Sequence, residues 1–257
     1  MNTKLISKSA LETIDQYIHF KVGTAECAVP YFNNKHKRQR AGLRAAIGKG
    51  SPKEIFDEVE IVGMKEKIRP EAWTDVLLKK FMCDSDIGID CSGLAYYILT
   101  TENRARGKGS FDRHIIFPNR SFLRRIAAKF RPVENTDVLV LADDRNSVLV
   151  DLQKIEPGDF IAMTGAETER NHIVVVHQVD YQNFVPTAIH YMHSIAWPDD
   201  GQYGHGVRQG MIEILEPAKV ITDQKWTEKG KTGAENPTYL RAKISKTEIR
   251  RLNWWQE

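Results

Sequence analysis

The sequence predicts an α+β fold, with N-terminal helices packed on a mostly antiparallel β-sheet in a single elaborated domain spanning residues 1–257. Ser51-Pro52-Lys53-Glu54 sets a cap residue, a proline at the first helical position and a glutamate at the third, which is how a helix starts. From Asp137 onward the period changes, and apolar residues fall into short β-branched runs bounded by turn residues. The chain has 257 residues, 41% hydrophobic and 28% charged, enough to bury a core. Helices first and strands afterwards read as α+β.

Along the chain, Ser9-Ala10-Leu11-Glu12 has capping-box spacing, with Leu11, Ile14 and Ile18 on one face, so a helix is expected over 10–21. Residues 22–50 give no assignment. The helix opened by Ser51 is expected to reach Lys67, and another to begin at Pro70, with Trp73, Leu77 and Phe81 at spacing four. A polar loop, Asp84 to Gly88, leads through Ile89-Asp90-Cys91-Ser92-Gly93 into the helical Leu94 to Leu99. Cys91 therefore stands where a loop enters a helix. Between Glu102 and Arg131 lie nine Lys/Arg and two acids. Phe122, Ile126 and Phe130 form a stripe there opposite Arg124, Arg125 and Lys129, which predicts an inserted amphipathic helix. The strand-like runs are Val138 to Leu141, Val148 to Val150, Phe160 to Met163, Ile173 to Val176, Ala188 to Ile195 and Val207 to Leu215. The chain thus divides into a helical region over 1–83, core motifs over 84–195, a basic insertion over 104–131 and a β-rich extension over 196–257.

The opening MNTKLISKSALETIDQYIHF has no apolar signal core and no small-residue cleavage site, and no segment offers the run a membrane span requires. This predicts a cytoplasmic chain without a membrane span, with export by another route left open. The three cysteines, Cys27, Cys83 and Cys91, are an odd set without a C-x-x-C, which fits a reducing compartment and a free thiol. The formal charge of +3 is mild. Its concentration over 104–131 favours an anionic surface as partner, and no nucleic-acid motif accompanies it.

A thiol attacks only as thiolate, and a helix N-terminus favours that form through its partial positive charge and free N–H groups. Cys91 is placed for this, and the same N–H groups around Cys91 and Ser92 would bind an oxyanion. A small buried core thiol would occupy such a position equally well. A general base must come from elsewhere, and histidine suits because its pKa lies near working pH. His172 opens the strand Ile173 to Val176, where it can reach a helix terminus packed on the sheet. His177, five residues on, is expected on the opposite face. A third residue has to fix the imidazole tautomer. His190 and His193 are three apart and face opposite sides, and periodicity does not choose between them.

Asp90-Cys91-Ser92-Gly93-Leu94 resembles the DCSGLV signature of the NlpC/P60 cysteine peptidases. Ile155-Glu156-Pro157-Gly158-Asp159-Phe160 is similar to that family's PGD strand, and Asn171-His172-Ile173-Val174 to its HVGIY strand. The motifs occur in the family's order. The resemblance implies a papain-like NlpC/P60 fold, with Cys91 as nucleophile, His172 as base and, by the match of Tyr191-Met192-His193-Ser194 to the next strand, His193 as the orienting residue. It also implies Asp90, Ser92 and Tyr31 as oxyanion or cleft candidates and peptide or isopeptide bonds of cell-wall stems as substrate; no cofactor or metal is expected. The strand reads HIVVV rather than HVGIY, and the C-terminal third, with Trp226, Trp254 and Trp255, has no counterpart in the family pattern.

Three other readings compete. One keeps the fold but makes the chain an intracellular cysteine amidase or acyltransferase. A metal protein would draw on Cys83, Cys91, His172, His177, His190 and His193, whose spacings do not converge. Asp84-x-Asp86-x-Gly88-x-Asp90 resembles a calcium loop but ends on Ala95 instead of a bidentate glutamate. A binding module would act through the basic insertion.

Overall fold

The computed structural model describes residues 2–33, 44–118, 128–165 and 171–256. Most of the expected amphipathic helix, including Phe122, Arg124, Arg125 and Ile126, falls outside them. Lys129 and Phe130 are described and exposed.

Four helices form one layer. Helix α1 (Lys8–Ile18) is capped by Ser7 rather than Ser9, its hydroxyl accepting from the Ala10 N–H at 3.3 Å. Ser7 wins the cap because its own N–H is anchored on the Glu102 carboxylate at 2.7 Å. Helix α2 (Pro52–Lys65) carries the full capping box of Ser51 and Glu54. Helix α3 (Asp75–Asp84) starts at Thr74, four residues later than its apolar spacing suggests. The Thr74 hydroxyl accepts from the Leu77 N–H, while Pro70–Ala72 forms only a 3₁₀ turn. Helix α4 (Cys91–Ala105) is capped by Asp90. It buries Leu94 and Ile98, roughly 1.5–3 kcal/mol each.

The other layer is a sheet whose pairings are antiparallel. Among the described residues it holds nine strands: β1 (Asn2–Leu5), β4 (Ser147–Leu149), β5 (Phe160–Thr164), β6 (His172–Gln182), β7 (Val185–Ile195), β8 (Gly206–Glu213), β9 (Lys225–Glu228), β10 (Lys231–Thr232) and β11 (Lys246–Leu252). Their order is β10-β9-β8-β7-β6-β5-β11-β4, with β1 on β6. Strands β2 (Phe20–Val22) and β3 (Ala25–Cys27) form a separate hairpin. The α+β class and the mostly antiparallel sheet are therefore observed. Val138–Leu141 is the exception among the expected strands: it is a helical turn, because the Asp137 carboxylate takes the Val140 N–H at 2.9 Å and outweighs the β preference of the two valines. The chain beyond residue 196 joins the same sheet. β8 and β9 extend it past β7, and β11 lies between β5 and β4.

Both faces of the sheet are covered. Phe160, Ala162, Ile173, Val175 and Met192 pack under the helices, while Ile161, Met163, Val174, Val176, Tyr191 and Trp226 build a second core opposite. The continuous run Ile173 to Val176 follows from this, since a strand buried on both sides has no polar face to alternate with. Strand β6 pairs β5 over His172 to Val175 and β1 over Gln178 to Tyr181. Its register with β7 begins only at Val175 opposite Met192. His172 to Val174 and His193 to Ile195 thus diverge, and α4 packs across β6 and β7 at this opening.

Candidate active site

The segment Gly48 to Gly50 is tied to the start of α4. The Gly48 carbonyl accepts the Asp90 N–H at 2.9 Å, and the Lys49 carbonyl accepts the Tyr97 hydroxyl at 2.8 Å. Gly48 has φ of 75°, and a Cβ there would stand 2.2 Å from the Phe32 carbonyl oxygen, so only glycine fits. Lys49 is thereby buried under the helix terminus. Its Nζ donates to the Asp90 carboxylate at 3.0 Å, the Ser92 hydroxyl at 2.6 Å and the Thr136 carbonyl at 3.1 Å.

Asp90 accepts from the Gly93 N–H at 2.6 Å and from Ser92 Oγ at 3.0 Å. Both Asp90 and Ser92, expected as oxyanion or cleft residues, spend their side chains on the cap and on Lys49. What the helix terminus itself leaves for an oxyanion is backbone, since the first N–H groups of a helix have no acceptor within it. Cys91 is 7% exposed and lines a cavity of about 330 Å³ with Asn33, Lys49, Asp137 and Asn171.

Burial pushes the Cys91 thiol up to about 12, and the Asp90 charge adds to this. Lys49, the Ile173 N–H hydrogen bond and Arg241 pull the other way without prevailing. Burial therefore works against the thiolate expected at the helix terminus, because it penalises the charged form more than the surrounding cations and the Ile173 N–H favour it. The Ile173 N–H reaches the sulfur at the opening between β6 and β7. Beside it, the Ser194 hydroxyl donates to the Ile89 carbonyl at 2.7 Å.

His172 and His193 meet at the same opening, Nε2 of the first 2.8 Å from Nδ1 of the second, and both are buried. Burial, then the neighbouring His193 and Arg241, hold His172 well below the ordinary histidine range. Among the described residues no hydrogen bond joins His172 to Cys91. Ligand-free sites often show such bonds only when substrate arrives. His177 lies elsewhere, in the register shift between Val176 and Gln178. His190 binds the Asp180 carboxylate at 3.0 Å, its ring 6.3 Å from that of His177. Tyr31 bridges to Ile89, and its N–H donates to His205 Nδ1 at 3.1 Å. Burial and the nearby Cys91 raise its phenol, so it stays protonated as a donor.

Three residues at the site had no role in the sequence reading. Lys49 offers one signal, a lysine between two glycines just ahead of a helix start. Arg241, on the helix Pro237–Ile244, acts electrostatically on Tyr31, Cys91 and His172. Glu228, on β9, lies 3.1 Å from His193 Nε2. Neither of the latter two sits in any motif. Comparison of the chain with protein-family models, with curated proteins and with solved structures finds no match.

Proposed function

We propose that the chain is a thiol hydrolase of the papain-like NlpC/P60 type, cleaving an amide, peptide or isopeptide bond through Cys91. The observation that carries this is the convergence at one opening of the sheet. A cysteine at a capped helix N-terminus, lining a cavity, adjoins a strand whose first residue, His172, is hydrogen-bonded to His193. Nucleophile, base and orienting group arranged in this way are the elements of acyl transfer.

In this reading His172 takes the Cys91 proton as the sulfur attacks the carbonyl carbon. The resulting oxyanion turns toward the free N–H groups of α4 and the Tyr31 hydroxyl. The proton passes from His172 to the leaving amine as the C–N bond breaks, and a water, deprotonated by the same imidazole, releases the acid. A neutral thiol and a neutral imidazole at rest make proton transfer part of the attack rather than a step before it.

The amide class follows from this chemistry. Cell-wall peptide stems are the substrate the family resemblance suggests. Incubation with a library of muropeptides and simple acyl amides, read by mass spectrometry, tests both levels. Hydrolysis products from the wild type and none from Cys91→Ala support the reading, and equal products from both overturn it. Transfer of the acyl group to an added amine would make the chain an acyltransferase on the same thioester chemistry.

A further inference from the structure

Beyond the histidine pair, the buried polar groups continue into the C-terminal strands of the sheet. Glu228, at the end of β9, is 1% exposed, and its Oε2 lies 3.1 Å from His193 Nε2. The same oxygen accepts the Tyr191 hydroxyl at 2.9 Å, and Arg208 Nη1 stands 3.8 Å from Oε1. Arg208 is held in turn by Asp200, which also pairs with Lys229. His193 Nε2 is buried and makes no hydrogen bond of regular geometry, to Glu228 included, and the carboxylate 3.1 Å away is its one ion-pair partner among the described residues.

We infer that Glu228 is a positioning residue that fixes the tautomers of both histidines and so leaves Nδ1 of His172 as the basic atom. An ionised carboxylate only accepts hydrogen bonds. It therefore selects the His193 tautomer with the proton on Nε2 and the lone pair on Nδ1. That lone pair faces His172 Nε2 at 2.8 Å, so the His172 proton resides on Nε2, and Nδ1 is left bare to receive a proton from Cys91. Reversing either ring would set two N–H groups or two lone pairs against each other in a buried site, leaving buried polar groups unsatisfied. The carboxylate is kept ionised despite its burial by the His193 N–H and the Tyr191 hydroxyl that point at it and by the charge of Arg208.

The catalytic consequence rests on the proposed Cys91 chemistry, whereas the tautomers themselves do not. Two-bond ¹H–¹⁵N correlation spectra of imidazole-labelled protein read them directly, with or without a known substrate. The expected spectrum shows His172 and His193 both protonated on Nε2 at pH 7. Glu228→Ala is expected to give mixed tautomers on both rings, and Glu228→Gln, whose amide oxygen still accepts, to restore the single form. A wild type with His172 protonated on Nδ1, or a Glu228→Ala spectrum identical to it, overturns the inference. If the alanine variant does not fold, Glu228→Gln alone decides. Its His193 Nε2–H resonance moves upfield as the charged acceptor becomes neutral, and an unmoved resonance counts against the inference. Where an amide substrate is turned over, kcat falls about 10- to 100-fold in Glu228→Ala with KM unchanged. In Glu228→Gln the acid limb of kcat/KM moves to lower pH, because the imidazolium loses its anion.

Discussion

Lys49 Nζ lies 3.0 Å from the Asp90 carboxylate, and both side chains are withdrawn from solvent beneath the Cys91 helix terminus. A buried pair of this kind is held by partnership, since removing one member strands the other charge at a cost of about 3–5 kcal/mol. Asp90→Ala also removes the cap from Gly93, adding about 1 kcal/mol. We expect Asp90→Ala to lower the urea midpoint sharply, and Lys49→Met to recover much of the loss in the double variant. Strictly additive losses would mean that the two groups do not depend on each other.

The proposed chemistry separates the histidines. His172→Ala and His193→Ala should lower kcat/KM by about 10²- to 10⁴-fold for the base and less for its partner. His190→Ala, beside Asp180, and His177→Ala, beside His190, should change it little. The assay is turnover of whichever amide the library identifies, with folding checked by circular dichroism. A severe His177 variant beside a mild His172 variant would overturn the assignment.

Cys91 labelling distinguishes a resting thiolate from a thiol activated during attack. Burial raises all three thiols, Cys27 to about 11 and Cys91 to about 12, and Cys91 is the most buried while Cys83 is half-buried. Iodoacetamide at pH 7 should therefore modify Cys83 before Cys91, read by peptide mass mapping. Fast Cys91 labelling would show that the helix terminus overcomes desolvation after all.

Local chemistry made the helix starts at Ser51 and Cys91 legible, because a cap is written in adjacent residues. The Ile173 to Val176 run announced a strand because its β-branched residues are adjacent in sequence. Val138 to Leu141 misled, since the Asp137 cap outweighed β propensity over four residues. Glu228 and Arg241 were illegible for another cause, and Lys49 showed only its place between two glycines. Their roles come from pairings across the sheet and between layers, and nothing in β9 or in the helix Pro237–Ile244 marks a residue that will stand beside a histidine on β7 or a cysteine on α4.

Tyr191 reaches Glu228 only because Gly210 stands opposite it in the β7–β8 register. A Cβ at Gly210 would lie 2.1 Å from the Tyr191 ring, and both rotation of the ring and bending of the strand are opposed by the packing of Tyr191 on Trp226. Overpacking of this kind costs about 1–3 kcal/mol. Gly210→Ala should lower the melting temperature and weaken the His193 Nε2–H signal, whereas Tyr191→Phe should leave the strand intact. An unchanged melting temperature in Gly210→Ala would show that the strands separate easily there.

Stability should fall between neutral and mildly acid pH, and His177 gives the measurable component. Burial, then the nearby His190, holds its folded-state value at about 4 against an ordinary 6.5. Below about 6.5 the unfolded chain binds a proton at this residue that the folded chain refuses, and stability falls as pH drops through the window until about 4, where the folded form protonates as well. The loss across the window is on the order of 3 kcal/mol for a shift of this size. Burial depresses His172 and His205 in the same direction, so the wild-type slope alone does not isolate His177. His177→Gln does, because its side chain does not titrate. Urea unfolding at pH 7 and at pH 4.5 should show a smaller difference in the variant than in the wild type. Equal differences would mean that His177 is already protonated, and therefore hydrated, in the folded chain.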